Sequence, residues 1–104
     1  GGDAPGRCLR YRGLTLDPDA VEVRLDGRVL EQLTAREFEL LRELLSSPGR
    51  VFTREILLAK LWGYDFFGDE RVVDSHIKNL RKKLGVDYIE TVRGVGYRVP
   101  KEHP

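Results

Sequence analysis

Residues 71–84 read RVVDSHIKNLRKKL, and the spacing of this stretch decides the fold class. On a helix at about 100° per residue, Val73, Ile77, Leu80 and Leu84 share one narrow apolar stripe. The opposite stripe is Arg71, Ser75, Lys78 and Lys82, with Asn79 beside it. Five cations (Arg71, Lys78, Arg81, Lys82 and Lys83) stand against a single anion, Asp74. A surface helix ordinarily mixes both signs of charge, whereas this one has a core face and a basic face. Taken alone, it fits a solvated structural helix as well as a ligand-binding one. The chain beyond Leu84 decides between them.

Gly85 ends the helix, and the chain then alternates. Tyr88-Ile89-Glu90-Thr91-Val92 reads as a strand, Arg93-Gly94-Val95-Gly96 as a turn, and Tyr97-Arg98-Val99 as a second strand. Gly94 and Gly96 are read as turn-formers, not as a phosphate cradle. The result is a C-terminal hairpin with arginines at and beside its tip. Charge follows the same division. Residues 1–70 hold ten Lys/Arg and thirteen Asp/Glu, a balance of −3, while residues 71–98 hold seven against three, a balance of +4. A net charge of +1 therefore conceals a chain with its cations gathered at one end.

Upstream, residues 1–7 contain three Gly and one Pro and are expected to be linker, ahead of a domain over residues 8–100 and a tail over 101–104. The chain contains no methionine, which fits a domain of a longer protein. From Cys8 to Gln32 the pattern has period two. Leu14 and Leu16 alternate with polar neighbours, Asp17-Pro18-Asp19 punctuates, Val21, Val23 and Leu25 alternate next, and Asp26-Gly27 marks a two-residue hairpin. This is a meander of three or four antiparallel strands, read as a stabilising platform. Leu33-Thr34-Ala35-Arg36-Glu37-Phe38 carries a full helix start: Thr34 as N-cap, Glu37 completing a capping box, and Leu33 with Phe38 as a staple. Phe38, Leu41, Leu44 and Leu45 form the core face of that first helix, and Ser47-Pro48-Gly49 stops it. Val51-Phe52 is a short extended piece. Thr53 caps a second helix with Ile56, Leu57, Leu61 and Trp62 on its apolar side, and Gly63 closes it. The connection Tyr64-Asp65-Phe66-Phe67-Gly68 is longer than the ~3–4 residues of a simple helix-turn-helix. Its two phenylalanines either fold back onto the core or form a sticky surface for a partner. Asp69 is placed to cap the third helix.

A basic helix followed by a basic hairpin suits double-stranded DNA. The major groove, about 12 Å wide, admits a helix, and the minor groove, about 6 Å wide, admits an arginine. Flanking cations neutralise phosphates, and the Asn79 amide can pair bidentately with adenine.

Val73-Asp74-Ser75-His76-Ile77 with Leu80-Arg81-Lys82-Lys83-Leu84, then Ile89-Glu90-Thr91-Val92-Arg93-Gly94-Val95-Gly96-Tyr97-Arg98, resembles the effector domain of OmpR/PhoB-type response regulators. Leu33-Thr34, Glu37-Phe38, Leu40-Leu41 and Leu61-Trp62-Gly63 resemble the same family, and the likeness spans residues 9–99. It implies an α+β winged helix-turn-helix fold: an N-terminal four-stranded antiparallel sheet, three helices and a C-terminal β-hairpin wing. It implies base reading by Lys78 and Asn79 in the major groove and by Arg93 in the minor groove. Phosphate contacts would come from Trp62, Arg71, His76, Arg81, Lys82, Thr91 and Tyr97. Trp62 is more often a core residue, though an indole N–H at a helix end can serve both roles, and His76 and Thr91 are suited to ordinary surface roles. The chain departs from better-known members at Asn79, where arginine is frequent, so the preferred base stays open. The resemblance further implies control by an upstream receiver domain and its histidine kinase, a head-to-tail dimer on direct repeats with the isolated domain monomeric, and RNA polymerase facing the loop of Tyr64, Asp65, Phe66 and Phe67.

Other classes fit less well. No nucleophile–base pair, paired carboxylates or metal set is recognisable, so neither an enzyme nor a cofactor is expected. His76 has no second His or Cys at ligand spacing, and Asp65, Asp69 and Glu70 are explained by capping and solvation. No apolar run approaches the ~18 residues of a membrane span, no signal peptide opens the chain, and a single cysteine, Cys8, suits a cytoplasmic setting. A winged helix serving protein interaction would want a neutral third helix and wing. An upstream sensor other than a receiver domain remains compatible with these residues.

Overall fold

The computed structural model describes residues 8–64, 66–85 and 88–101. The linker expected over residues 1–7 and most of the tail lie outside that range, as does Asp65. Strands β1 (Leu9–Tyr11), β2 (Leu14–Asp17), β3 (Glu22–Leu25) and β4 (Arg28–Val29) form one antiparallel sheet in sequence order. Its register sets Leu9 opposite Leu16 and Leu16 opposite Val23. Tyr11, Leu14, Leu16 and Val23 are thereby buried on one face. The Asp26-Gly27 turn has φ of 52° and 86° at its two positions, the pair of positive values a tight hairpin twist requires. Val21 departs from the expected alternation. It sits in the β2–β3 turn with φ of 52° and is 62% exposed, so the inward series on β3 begins at Val23. The Asp17 side chain helps set that turn by accepting the N–H groups of Asp19 and Ala20 at 3.0 and 3.2 Å.

Helix α1 (Ala35–Leu45) starts with the expected capping box. Thr34 Oγ1 accepts the Glu37 N–H at 3.1 Å, and Glu37 Oε1 accepts the Thr34 N–H at 3.0 Å. Its buried face holds Leu40 as well as Phe38, Leu41, Leu44 and Leu45. Strand β5 (Phe52–Thr53) leads straight into α2 (Arg54–Leu61), where Thr53 Oγ1 accepts the Ile56 N–H at 3.1 Å. Helix α3 (Arg71–Leu84) ends at Gly85, whose φ of 106° reverses the chain. Val73, Ile77, Leu80 and Leu84 are its buried stripe, each 4% exposed or less. Strands β6 (Glu90–Val92) and β7 (Gly96–Arg98) form the C-terminal hairpin.

The extended piece before α2 joins that hairpin. β5 pairs antiparallel with β7, Phe52 opposite Tyr97 and Thr53 opposite Gly96, giving a second sheet of order β5-β7-β6. This pairing gives Gly96 a different role from the one read in sequence. It is a strand residue whose missing side chain lets β5 approach: a Cβ there would lie 2.0 Å from the Phe52 carbonyl oxygen. Gly94 keeps the turn role, with φ of 77°. The wing is thus fastened to the start of α2 as well as following α3.

Candidate nucleic-acid interface

On α3 the sequence periodicity becomes a division of labour. Arg71, Ser75, Lys78, Asn79 and Lys82 are exposed, opposite the buried stripe. Fourteen residues make a rod about 21 Å long. The N-cap position is Glu70, which makes no side-chain cap bond; the expected cap Asp69 stands one residue earlier, where its Oδ1 accepts the Arg71 N–H at 2.9 Å while its other oxygen lies 3.7 Å from the Arg71 guanidinium. The carboxylate and the first-turn N–H groups suit each other electrostatically.

The remaining cations of α3 face inward or sideways. Lys83 turns away from the basic stripe, donating to Glu37 Oε1 and to the Gln32 carbonyl, each at 2.5 Å. Glu37 is 3% exposed, so this pair ties α3 to the start of α1. Arg81 donates to the Ile89 carbonyl at 2.9 and 3.1 Å and to Thr91 Oγ1 at 2.6 Å. It therefore joins α3 to β6. Thr91 accepts in that bond, which leaves its own hydroxyl proton free to be donated outward.

Asp74, the lone anion of α3, is a junction. Its Oδ1 accepts from Arg54 Nε at 2.7 Å and from the Tyr97 hydroxyl at 2.5 Å, joining α2, α3 and β7. Burial opposes ionisation of Asp74, but the bonds from Tyr97 and Arg54 and the charges of Arg54 and Arg71 outweigh it. The carboxyl is held below its usual range. Burial first, and then the bond to Asp74, push the Tyr97 phenol up, so its proton stays in place. That proton is committed to Asp74, and Tyr97 is 5% exposed, with the guanidinium groups of Arg54 and Arg81 each 5.6 Å from its ring centroid. The Tyr97 hydroxyl, read from the resemblance as a phosphate contact, is thus engaged with Asp74 in the free domain.

Trp62 unites core and surface roles. It is half-buried, with Arg36 over its ring at 4.8 Å, His76 edge-on at 5.2 Å and Phe66 at 6.3 Å. Arg36 also donates to the Leu61 carbonyl at the end of α2. His76 Nδ1 lies 2.8 Å from the Val72 carbonyl, so Nδ1 carries the proton and Nε2 faces away. The two phenylalanines divide: Phe66 packs beside Trp62, whereas Phe67 is 98% exposed and Tyr64 94% exposed. At the wing tip Arg93 is exposed, and Glu90 and Arg98 pair across the hairpin at 2.5 Å.

Sequence reasoning passed over Arg54, Glu37 as a partner of Lys83, and Asp74 as a junction. Two local signals point to the Arg54–Asp74 pair. Asp74 is the one anion in a cationic helix, and Arg54 is a cation in the first turn of α2, where the macrodipole disfavours it.

A helix exposed and basic on one side, buried on the other and joined to a C-terminal hairpin, defines the winged-helix class. The family model "Transcriptional regulatory protein, C terminal" matches residues 28–99. The chain belongs to this family, the C-terminal DNA-binding domains of OmpR/PhoB-type response regulators. Among similar proteins, the regulatory protein VanRB of Enterococcus faecalis is 52% identical over 91 residues, covering 88% of this chain and 41% of that protein. The transcriptional regulatory protein CseB of Streptomyces coelicolor is 48% identical over 94 residues, covering 90% and 40%. The chain thus spans about two-fifths of the length of these relatives. Of solved structures, the DNA-binding domain of Klebsiella pneumoniae RstA in complex with the RstA box superposes with a TM-score of 0.81 at 34% identity, covering 90% of this chain and 97% of that one. The DNA-binding domain of CpxR from E. coli gives 0.79 at 36%, covering 90% and 96%. Among the described residues, no helix is long and apolar enough to cross a membrane.

Proposed function

We propose that this domain reads a double-stranded DNA site with α3 in the major groove and the wing at the minor groove. The observation that carries the reading is the exposed stripe of Arg71, Ser75, Lys78, Asn79 and Lys82, unobstructed along one side of α3. In it Lys78 and Asn79 are the base readers. Arg71 and Lys82 flank them as phosphate contacts, and the Thr91 hydroxyl, oriented by Arg81, donates to the backbone beside the wing. Trp62 and His76 serve the same backbone at the far flank. Arg81 supplies charge near the backbone while holding β6, and Arg93 enters the narrower groove.

Regulation in the full-length protein would come from a receiver domain and its histidine kinase, in a cytoplasmic regulator that is not an enzyme. The domain would bind direct repeats as a head-to-tail dimer and be monomeric alone. Selection of sites from a random duplex pool tests this reading. A direct repeat at about one helical turn is expected; a pool that never enriches would refute sequence-specific binding, and a palindrome would refute the head-to-tail arrangement. RNA polymerase is the proposed partner of the α2–α3 loop, supported by the exposure of Tyr64 and Phe67, with Phe66 held back by Trp62. Serine at Tyr64 and Phe67 together should leave duplex binding intact and lower activated transcription severalfold. Unchanged transcription would remove the loop from that role.

A further inference from the structure

Two sets of bonds hold the wing to α3. In one, Asp74 receives Tyr97 of β7 and Arg54 of α2. In the other, Arg81 reaches the Ile89 carbonyl and Thr91 of β6. Both strands of the hairpin are therefore anchored to the same helix, one to each of two residues seven positions apart. The guanidinium groups of Arg54 and Arg81 each lie 5.6 Å from the Tyr97 ring centroid, so the two sets meet at that ring. Within the hairpin, Arg98 and Glu90 bridge the strands. β7 is also paired with β5 at the close approach that Gly96 permits. A hairpin stiff in itself and pinned on both strands cannot tilt about its base without breaking one of these bonds.

We propose that this network fixes the offset between Arg93 and the exposed stripe of α3, so that the two reading elements engage DNA as one rigid body. Asp74 and Tyr97 are positioning residues for the minor-groove contact, acting through the bond between them. The inference rests on the groove assignment proposed for α3 and the wing, and adds the source of its geometry. Preorganisation has a measurable consequence: the contribution of Arg93 depends on groups that never meet the duplex.

The test is a coupling measurement on the selected duplex. Arg93→Ala is made in the native chain and in Tyr97→Phe, which keeps the buried ring and deletes only the hydroxyl that reaches Asp74. Lys78→Ala is made in both as a control, since its contact lies on α3 itself. In the native chain Arg93→Ala should weaken binding about tenfold, and in Tyr97→Phe less than about twofold, a coupling of the size found between residues of one network. Lys78→Ala should cost the same factor in both. Should Tyr97→Phe fail to fold by circular dichroism, Asp74→Asn, which weakens the acceptor shared by Tyr97 and Arg54, takes its place. An equal Arg93→Ala loss in both backgrounds would overturn the clamp while leaving the groove assignment standing. An Arg93→Ala variant that binds as the native chain does would overturn both.

Discussion

Gly96→Ala should cost about 3 kcal/mol of stability or more, at the upper end of overpacking effects. The added Cβ would lie 2.0 Å from the Phe52 carbonyl oxygen, 2.8 Å from the Phe52 carbonyl carbon and 2.9 Å from Thr53 Cα. All three are backbone atoms, so no rotamer change relieves the contact. Only separation of β5 from β7 does, and that sacrifices the pairing of Phe52 with Tyr97 on which the wing rests. Gly94→Ala is the control. Gly94 has φ of 77° and nothing within 4 Å of an added methyl group, so the cost is left-handed strain alone, about 1–2 kcal/mol. Urea denaturation of the two variants should separate them clearly. A Gly96→Ala domain as stable as Gly94→Ala would show that the close approach of β5 is not required.

Lys83→Ala should destabilise by about 3 kcal/mol, because it leaves a buried carboxylate without its counter-charge. Glu37 is 3% exposed, and Lys83 is its one charged hydrogen-bond partner among the described residues. Burial opposes ionisation of Glu37. The Lys83 bond, the Thr34 N–H and the charges of Lys83 and His76 outweigh it and hold the carboxyl below its ordinary range. A carboxyl whose folded pKa lies below its unfolded one stabilises fully above the unfolded value, and this is lost as pH falls through the folded value. Asp74 has the same sign. The native domain should therefore lose stability on acidification below the ordinary carboxylate range. Lys83→Ala should lose less, because its Glu37 has already lost the Lys83 bond and charge that hold the carboxyl down. Denaturation midpoints at pH 7 and in acid decide the matter. The gap between the two proteins should narrow in acid, and a constant gap would contradict the pairing.

The elements most legible in the sequence were those written in local pattern. The apolar stripe of Val73, Ile77, Leu80 and Leu84, the capping box of Thr34 and Glu37 and the positive-φ pair Asp26-Gly27 each depend on neighbours within a few residues, and each stands where it was read. Period two misled only at Val21, where an apolar residue continues the alternation into a turn whose geometry is set by Asp17. What stayed hidden depends on groups far apart in the chain. β5 joins the wing by pairing residues forty-five positions away, Phe52 with Tyr97, and nothing near Gly96 announces that a backbone will press against it. Charge was legible in total but not in direction. Of the five cations on α3, Lys83 belongs to Glu37 and Arg81 largely to the wing, which concentrates exposed charge on Arg71, Lys78 and Lys82. The adjacent Phe66 and Phe67 had two readings, and the fold separates them, Phe66 beside Trp62 and Phe67 exposed.

The most direct measurement for a DNA-reading α3 is the binding profile of Asn79→Ala beside that of the native domain, across all single-base variants of the selected duplex. Asn79 is exposed mid-helix, so the substitution removes the proposed reader without disturbing the core. The predicted result is a loss of about 1–3 kcal/mol on the preferred site, relaxed discrimination at one base position and unchanged affinity for unrelated duplexes. A profile identical to that of the native domain, or a native domain that prefers no duplex over another, would contradict it.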